Sequence, residues 1–285
     1  MILMTDRISL YLKNYRAYEC FQGLAPIFLT FLFYTQSLDF LKTEFFLFPL
    51  LLAANLFIFI FNDYCDFDGD KINPRKSYIF LMDQNKRKRV LQIVLLFISA
   101  SFFYTPGEYS FILLSLLLLG YLYSDRLFFF KKKKFLSLFV HFSYGFFSST
   151  FCFFSPSSPI PLTWESFLGC VGFGFLFTAG SFMSVLLDKD FDRMSWSIGD
   201  QLNSKEMMNN IFGLLFLANV CFCLAFFLFQ SLKITFLYAF IFLIPLIFNY
   251  YVSSFNIQSH YKAFRNSYRV TYFFFFGTSL WLKIS

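Results

Sequence analysis

Charge is scarce in this sequence. Asp, Glu, Lys and Arg make up 14% of 285 residues, against 58% apolar residues. A water-soluble domain cannot hide that much apolar surface, so the chain belongs in a bilayer. Histidine is scarcer still, with only His141 and His260. The six cysteines (Cys20, Cys65, Cys152, Cys170, Cys221 and Cys223) form no CxxC pair with a histidine nearby. That argues against zinc. Cys221 and Cys223 lie in an apolar run and read as packed hydrophobes. The opening MILMTDRISLYLKNYR lacks a sustained apolar core and a small-residue cleavage site. It reads as an amphipathic segment at the cytoplasmic surface, not a signal peptide. No linker, soluble domain or low-complexity tail breaks the pattern, and one membrane domain is expected over residues 1–285.

What is present is apolar runs. The 50 phenylalanines read as compositional bias, and no single one is assigned a role. A membrane-crossing helix needs about 20 mostly apolar residues. Nine candidate spans follow, at 16–34, 44–61, 90–104, 109–123, 135–154, 164–187, 207–230, 234–252 and 270–282. The third and fourth are separated by TPGE at 105–108, which marks a tight turn. The expected fold is all-α and polytopic, with nine helices.

The basic residues test this count, because cytoplasmic loops are enriched in Lys and Arg. With a cytoplasmic N-terminus, Arg7, Lys13 and Arg16 precede or begin the first span. Lys71, Arg75, Lys76, Lys86, Arg87, Lys88 and Arg89 follow the second. Arg126 and Lys131 to Lys134 follow the fourth, and Lys189, Arg193 and Lys205 the sixth. Lys262, Arg265 and Arg269 follow the eighth. Of the 24 basic residues, only Lys42, Lys233 and Lys283 fall outside. The net charge of +7 is therefore topological, and no nucleic-acid partner is expected.

Acid is concentrated in two places. FNDYCDFDGDKINPRK at 61–76 ends the second span, and LLDKDFDR at 186–193 ends the sixth. Asp63, Asp66 and Asp70 recur at i, i+3 and i+7, within about 60° of one another on a continuing helix. Asp68 falls on the far side, and Asn62 adds an amide oxygen. Asp188 and Asp192 share a face, while Asp190 points away. Helix C-termini disfavour negative charge, so a cap does not explain either cluster. Something cationic must compensate, and Lys71 and Lys189 are candidates. Hard oxygens from two helix ends on one side of a membrane also suit Mg2+ bound to phosphates. Arg75, Lys76, Arg126 and the lysine run would meet the remaining phosphate charge. For most of these, topology and headgroup contact suffice as an explanation. Arg126, in LYSDR one turn after Tyr123, stands out.

These residues resemble the UbiA-type intramembrane prenyltransferases. The NDxxDxxxD motif ending that family's second helix stands here as Asn62 to Asp70, followed by Lys71-Ile72-Asn73. Its DxxxD motif ending the sixth helix stands as Asp188 to Asp192, followed by Arg193. Tyr123-Ser124-Asp125-Arg126 matches a tyrosine and basic residue ending the fourth. The resemblance covers essentially the whole chain. It implies nine helices around a central cavity, with Mg2+ bridging Asp63, Asp66, Asp70, Asp188 and Asp192 to an isoprenyl diphosphate. Asn62, Arg75, Tyr123, Arg126, Lys189 and Arg193 are the implied substrate contacts. The allylic diphosphate would ionise and a lipophilic or aromatic acceptor, a quinone precursor or a lipid, would capture the cation. The implied setting is the cell (inner) membrane, active site on the cytoplasmic side. The segment Asn73 to Ser77 is shorter than the family's stretch ending in Arg-Pro, and MSWSIGDQLNS departs from the family's spacing after the second motif.

Two other functions fit part of the pattern. A transporter would place charge near the membrane midplane, whereas these acids sit at one surface. Phosphoribosyl transfer to a polyprenyl phosphate would use a similar acidic site with a larger hydrophilic donor. His141, His260, Ser143 and Ser184 read as packing residues.

Overall fold

The computed structural model describes residues 47–70, 82–154, 163–188 and 204–229, together with Cys20, Leu24 and Ile27. Among them every regular element is helical. Helix α1 is Leu47–Cys65 and a one-turn α2 is Phe67–Asp70. Then come α3 (Gln84–Ser101), α4 (Gly107–Ser124) and α5 (Lys134–Thr150). Helices α6 (Trp164–Asp188) and α7 (Ser204–Phe229) follow. Short 3-10 turns at Phe130–Lys132 and Phe151–Phe154 flank α5.

The second to seventh expected spans each coincide with a helix. Cys20, Leu24 and Ile27 are helical and buried, at the spacing of one helix face. The rest of the first span, the amphipathic opening, and the eighth and ninth spans lie outside the described residues. The TPGE turn separates two helices: α3 ends at Ser101 and α4 starts at Gly107, with Pro106 as its N-cap.

Among the described residues, four helices are long and apolar enough to cross a membrane, at Leu47–Cys65, Gly107–Ser124, Trp164–Leu186 and Lys205–Ala225. Helix α3 falls short because Lys86 to Arg89 fill its first turns, and α5 has only 17 residues. The chain is an integral membrane protein. Its outward surface is apolar: Phe111, Leu114 and Leu118 of α4 are all more than half exposed, on one helix face. In water such a stripe would drive association; against lipid it needs no partner.

Inside, α1 packs on α3 and α4, α4 on α5, α5 on α6 and α6 on α7. With no hydrophobic drive between helices in lipid, small residues set how closely backbones approach. A Cβ on Gly145 of α5 would sit 2.7 Å from the Phe173 carbonyl oxygen of α6. One on Gly174 would sit 3.0 Å from the Phe142 carbonyl oxygen. Helices α5 and α6 therefore cross at Gly145 and Gly174. They run antiparallel, since Phe146 meets Phe167 and Phe142 meets Phe175.

Candidate active site

The acidic stripe survives a break in its helix. Helix α1 stops at Cys65 and the chain bends at Asp66. Even so, the Asp66 amide donates to the Asn62 carbonyl at 2.9 Å, and the Asp70 amide to the Asp66 carbonyl at 2.9 Å. Those i→i−4 bonds carry the helical period across the bend. Asp63 and Asp70 are each 1% exposed. The Asp66 side chain is 17% exposed, whereas Asp68 is 75% exposed. Three carboxylates face inward and the fourth faces out, as the spacing predicts.

Three segments brace this end. From α4, the Ser124 hydroxyl donates to the Asn62 side-chain oxygen at 3.0 Å. Just beyond α4, the Arg126 guanidinium donates to the Cys65 carbonyl at 3.2 Å, satisfying an orphan acceptor at the α1 terminus. From α3, the Gln84 amide donates to the Tyr64 carbonyl at 3.3 Å. Arg126 also lies 4.0 Å from Asp68. It therefore reaches the acidic end, where it contacts the outward aspartate and the backbone. Tyr123 sets its ring 4.8 Å from that of His141, which in turn lies 6.4 Å from Phe177.

The compensating cation is Lys131. Its ammonium pairs with an Asp66 carboxylate oxygen, and its side chain is 9% exposed. It reaches inward from the 3-10 turn Phe130–Lys132, set up by Phe129 in the left-handed region at φ 46. That turn points the first lysine of the run into the protein, while Lys133 stays exposed. A second buried cation is Arg87, 2% exposed and 5.0 Å over the Phe67 ring. Neither was singled out by sequence reasoning. Each belongs to a run of basic residues, where only three-dimensional register distinguishes the buried member. Lys71, one of the expected compensating cations, lies outside the described residues.

The second acidic motif is described only in part. Asp188 is the last residue of α6. The antiparallel register with α5 brings the end of α6 level with the turn that carries Lys131. Lys189, Asp190, Asp192, Arg193 and Arg75 lie outside the described residues, as does His260. Among the described residues no three His, Cys, Asp or Glu side chains converge closely enough to hold a metal ion alone. The donor chemistry nevertheless suits a hard cation: three inward carboxylates beside an amide oxygen, with another acidic helix end at the same face.

An apolar cavity of about 560 Å³ lies elsewhere, between the start of α4 (Gly107, Phe111), the end of α5 (Phe146, Phe147) and the start of α6 (Phe167, Cys170). Along α4 it is about 25 Å from Ser124. The polar site and this cavity lie toward opposite ends of α4. Ser143 is buried and the Ser184 hydroxyl donates to the Gly180 carbonyl at 3.2 Å, so both serve packing.

Solved structures share this architecture. A structure concerning digeranylgeranylglyceryl phosphate synthase in membranes superposes with a TM-score of 0.67, over 96% of this chain and 98% of that one. The fold is that of the UbiA homologues. A UbiA homologue from Archaeoglobus fulgidus bound to GPP and Mg2+ gives 0.67 over 95% of this chain and 99% of its own. The same homologue bound to DMAPP and Mg2+ gives 0.66 over 95% and 98%. Sequence identity is 14% in each case. No protein-family model matches the chain, and no curated protein matches it.

Proposed function

We propose that the protein is a Mg2+-dependent prenyltransferase, moving an isoprenyl group from a polyprenyl diphosphate to a lipophilic or aromatic acceptor within the membrane. One observation carries the reading. A stripe of three inward carboxylates, Asp63, Asp66 and Asp70, ends an apolar membrane helix and is braced from α4, beside a buried lysine. The UbiA fold supports it, since structures of that fold are described with GPP or DMAPP and Mg2+.

An isoprenyl diphosphate is half lipid and half polyanion. The apolar helices would take the chain. The carboxylates of Asp63, Asp66 and Asp70, with Asp188 and Asp192, would hold Mg2+ against the diphosphate. Bound there, the metal would neutralise charge on the leaving diphosphate. Asn62, held by Ser124, would orient the head from below. Arg75, Lys189 and Arg193 would meet the outer phosphate oxygens. Lys131 and Arg87 would add two buried cations to this end. Away from water, such charge–charge contacts are strengthened. Tyr123, at the end of α4, would contact the substrate. The aromatic lining would shield an allylic cation until the acceptor attacks carbon and loses its proton. The lysine and arginine distribution supports an N-terminus and active site on the cytoplasmic side of the cell membrane. A single domain over residues 1–285 accommodates all of this.

The test is diphosphate release from geranylgeranyl and longer polyprenyl diphosphates by detergent-purified protein, with membrane lipid and quinone precursors as acceptors. Release should require Mg2+ and be lost in Asp66→Ala and Asp188→Ala. No release, and no Mg2+-dependent binding of any prenyl diphosphate, would refute the proposal.

A further inference from the structure

The Lys131–Asp66 pair does more than balance charge. One oxygen of the Asp66 carboxylate, a group a divalent cation would use, is already held by an ammonium group. A divalent cation arriving at that carboxylate is opposed by the ammonium, because like charges close together repel, and more so with little water between them. Lys131 is carried by a three-residue 3-10 turn between α4 and α5. It can leave Asp66 by changing rotamer, without unwinding either helix. The ring of Phe129 lies 4.8 Å from the ammonium while it is paired, so that cation–π contact flanks the lysine at the start of any such movement.

We propose that Lys131 is an internal placeholder cation, which occupies Asp66 until metal and diphosphate arrive together. The inference rests on the prenyltransferase reading and goes beyond it. Metal alone must displace Lys131 and leave an ammonium stranded in a buried site. Metal with diphosphate displaces it into the presence of a new anion. Binding of the two is therefore coupled, and each raises the affinity of the other by the same factor. Lys131 is a positioning residue in this scheme: it sets the order of loading and takes no part in bond making.

The experiment measures Mn2+ binding to the full chain in detergent, by loss of the free Mn2+ paramagnetic resonance signal, with and without inorganic diphosphate. In the unaltered protein, diphosphate should tighten Mn2+ strongly. In Lys131→Met, Mn2+ without diphosphate should bind about tenfold tighter or more, since the competing charge is gone, and the further gain from diphosphate should shrink. Lys133→Met removes an equal charge from the exposed side of the same loop and should change neither. If Lys131→Met does not purify, Lys131→Gln, which keeps a donor for Asp66, carries the same expectation. Mn2+ affinity in these variants equal to or weaker than in the parent would overturn the placeholder. Absence of Mn2+ binding in the parent even with diphosphate would instead overturn the prenyltransferase reading, and the placeholder with it.

Discussion

Lys131 and Asp66 are 65 residues apart in the chain, yet they form a largely buried ion pair that joins the loop after α4 to the end of α1. Burying two charges is expensive, and their attraction roughly repays it. The pair is therefore weak evidence of net stability but strong evidence of what happens when one partner goes.

Asp66→Ala should lower stability by about 3 kcal/mol, toward the low end for a broken buried pair because Asp66 keeps some exposure. Replacing both partners, Asp66→Leu with Lys131→Met, should recover most of that loss while leaving the protein unable to release diphosphate. Thermal unfolding in detergent reads the first effect and the release assay the second. A double variant no more stable than Asp66→Ala would mean the pair is not what holds the loop.

Arg126 makes a contrasting case. Its guanidinium is 69% exposed and its aspartate partner 75% exposed, so the ion pair contributes little. What Arg126→Ala removes is the hydrogen bond to the Cys65 carbonyl, for about 0.5–1.5 kcal/mol. Diphosphate release should fall far less than in Asp66→Ala. A loss as deep as that of the aspartate variant would show that Arg126 reaches the donor.

The stripe was legible in the sequence because helical period is legible. Residues at i, i+3 and i+7 share a face whether or not the helix bends at Asp66, since the i→i−4 bonds bridge the bend. The positions of the second to seventh spans were legible because apolar runs of membrane length are long compared with any boundary error. Lys131 was not. Four consecutive lysines are equivalent in sequence, and only the left-handed Phe129 and the 3-10 turn behind it point the first of them inward. Arg87 is hidden the same way, inside Lys86 to Arg89, by the register with which α3 meets α1. The hydrogen bond from Ser124 to Asn62 joins spans two and four, and no local pattern announces it.

Close packing gives a paired prediction. Gly145→Ala would push a Cβ to 2.7 Å from the Phe173 carbonyl oxygen, a backbone atom that cannot turn aside. Overpacking of this kind costs about 1–3 kcal/mol. Gly213→Ala on α7 meets nothing within 4 Å and should stabilise its helix by about 0.5–1 kcal/mol. Unfolding in detergent should move the two midpoints in opposite directions. Equal shifts would mean that α5 and α6 can separate at no cost.

The last prediction concerns polar groups deep in the bundle. The Tyr144 hydroxyl of α5 donates to the Asn55 side-chain oxygen of α1, whose amide donates to the Leu51 carbonyl at 2.9 Å. Asn55 is 2% exposed and Tyr144 7%. Hydrogen bonds between membrane helices contribute only about 0.6 kcal/mol on average, up to about 1.7. Tyr144→Phe should therefore cost within that range, with an orphaned Asn55 oxygen setting the upper end. Tyr144→Phe combined with Asn55→Leu removes both polar partners and should be closer to the parent than Tyr144→Phe alone, because no acceptor is left unsatisfied. The stability cycle gives one half of the answer and the release assay the other. If the double variant folds well yet loses prenyl transfer to acceptor, the pair takes part in the reaction as well as in packing.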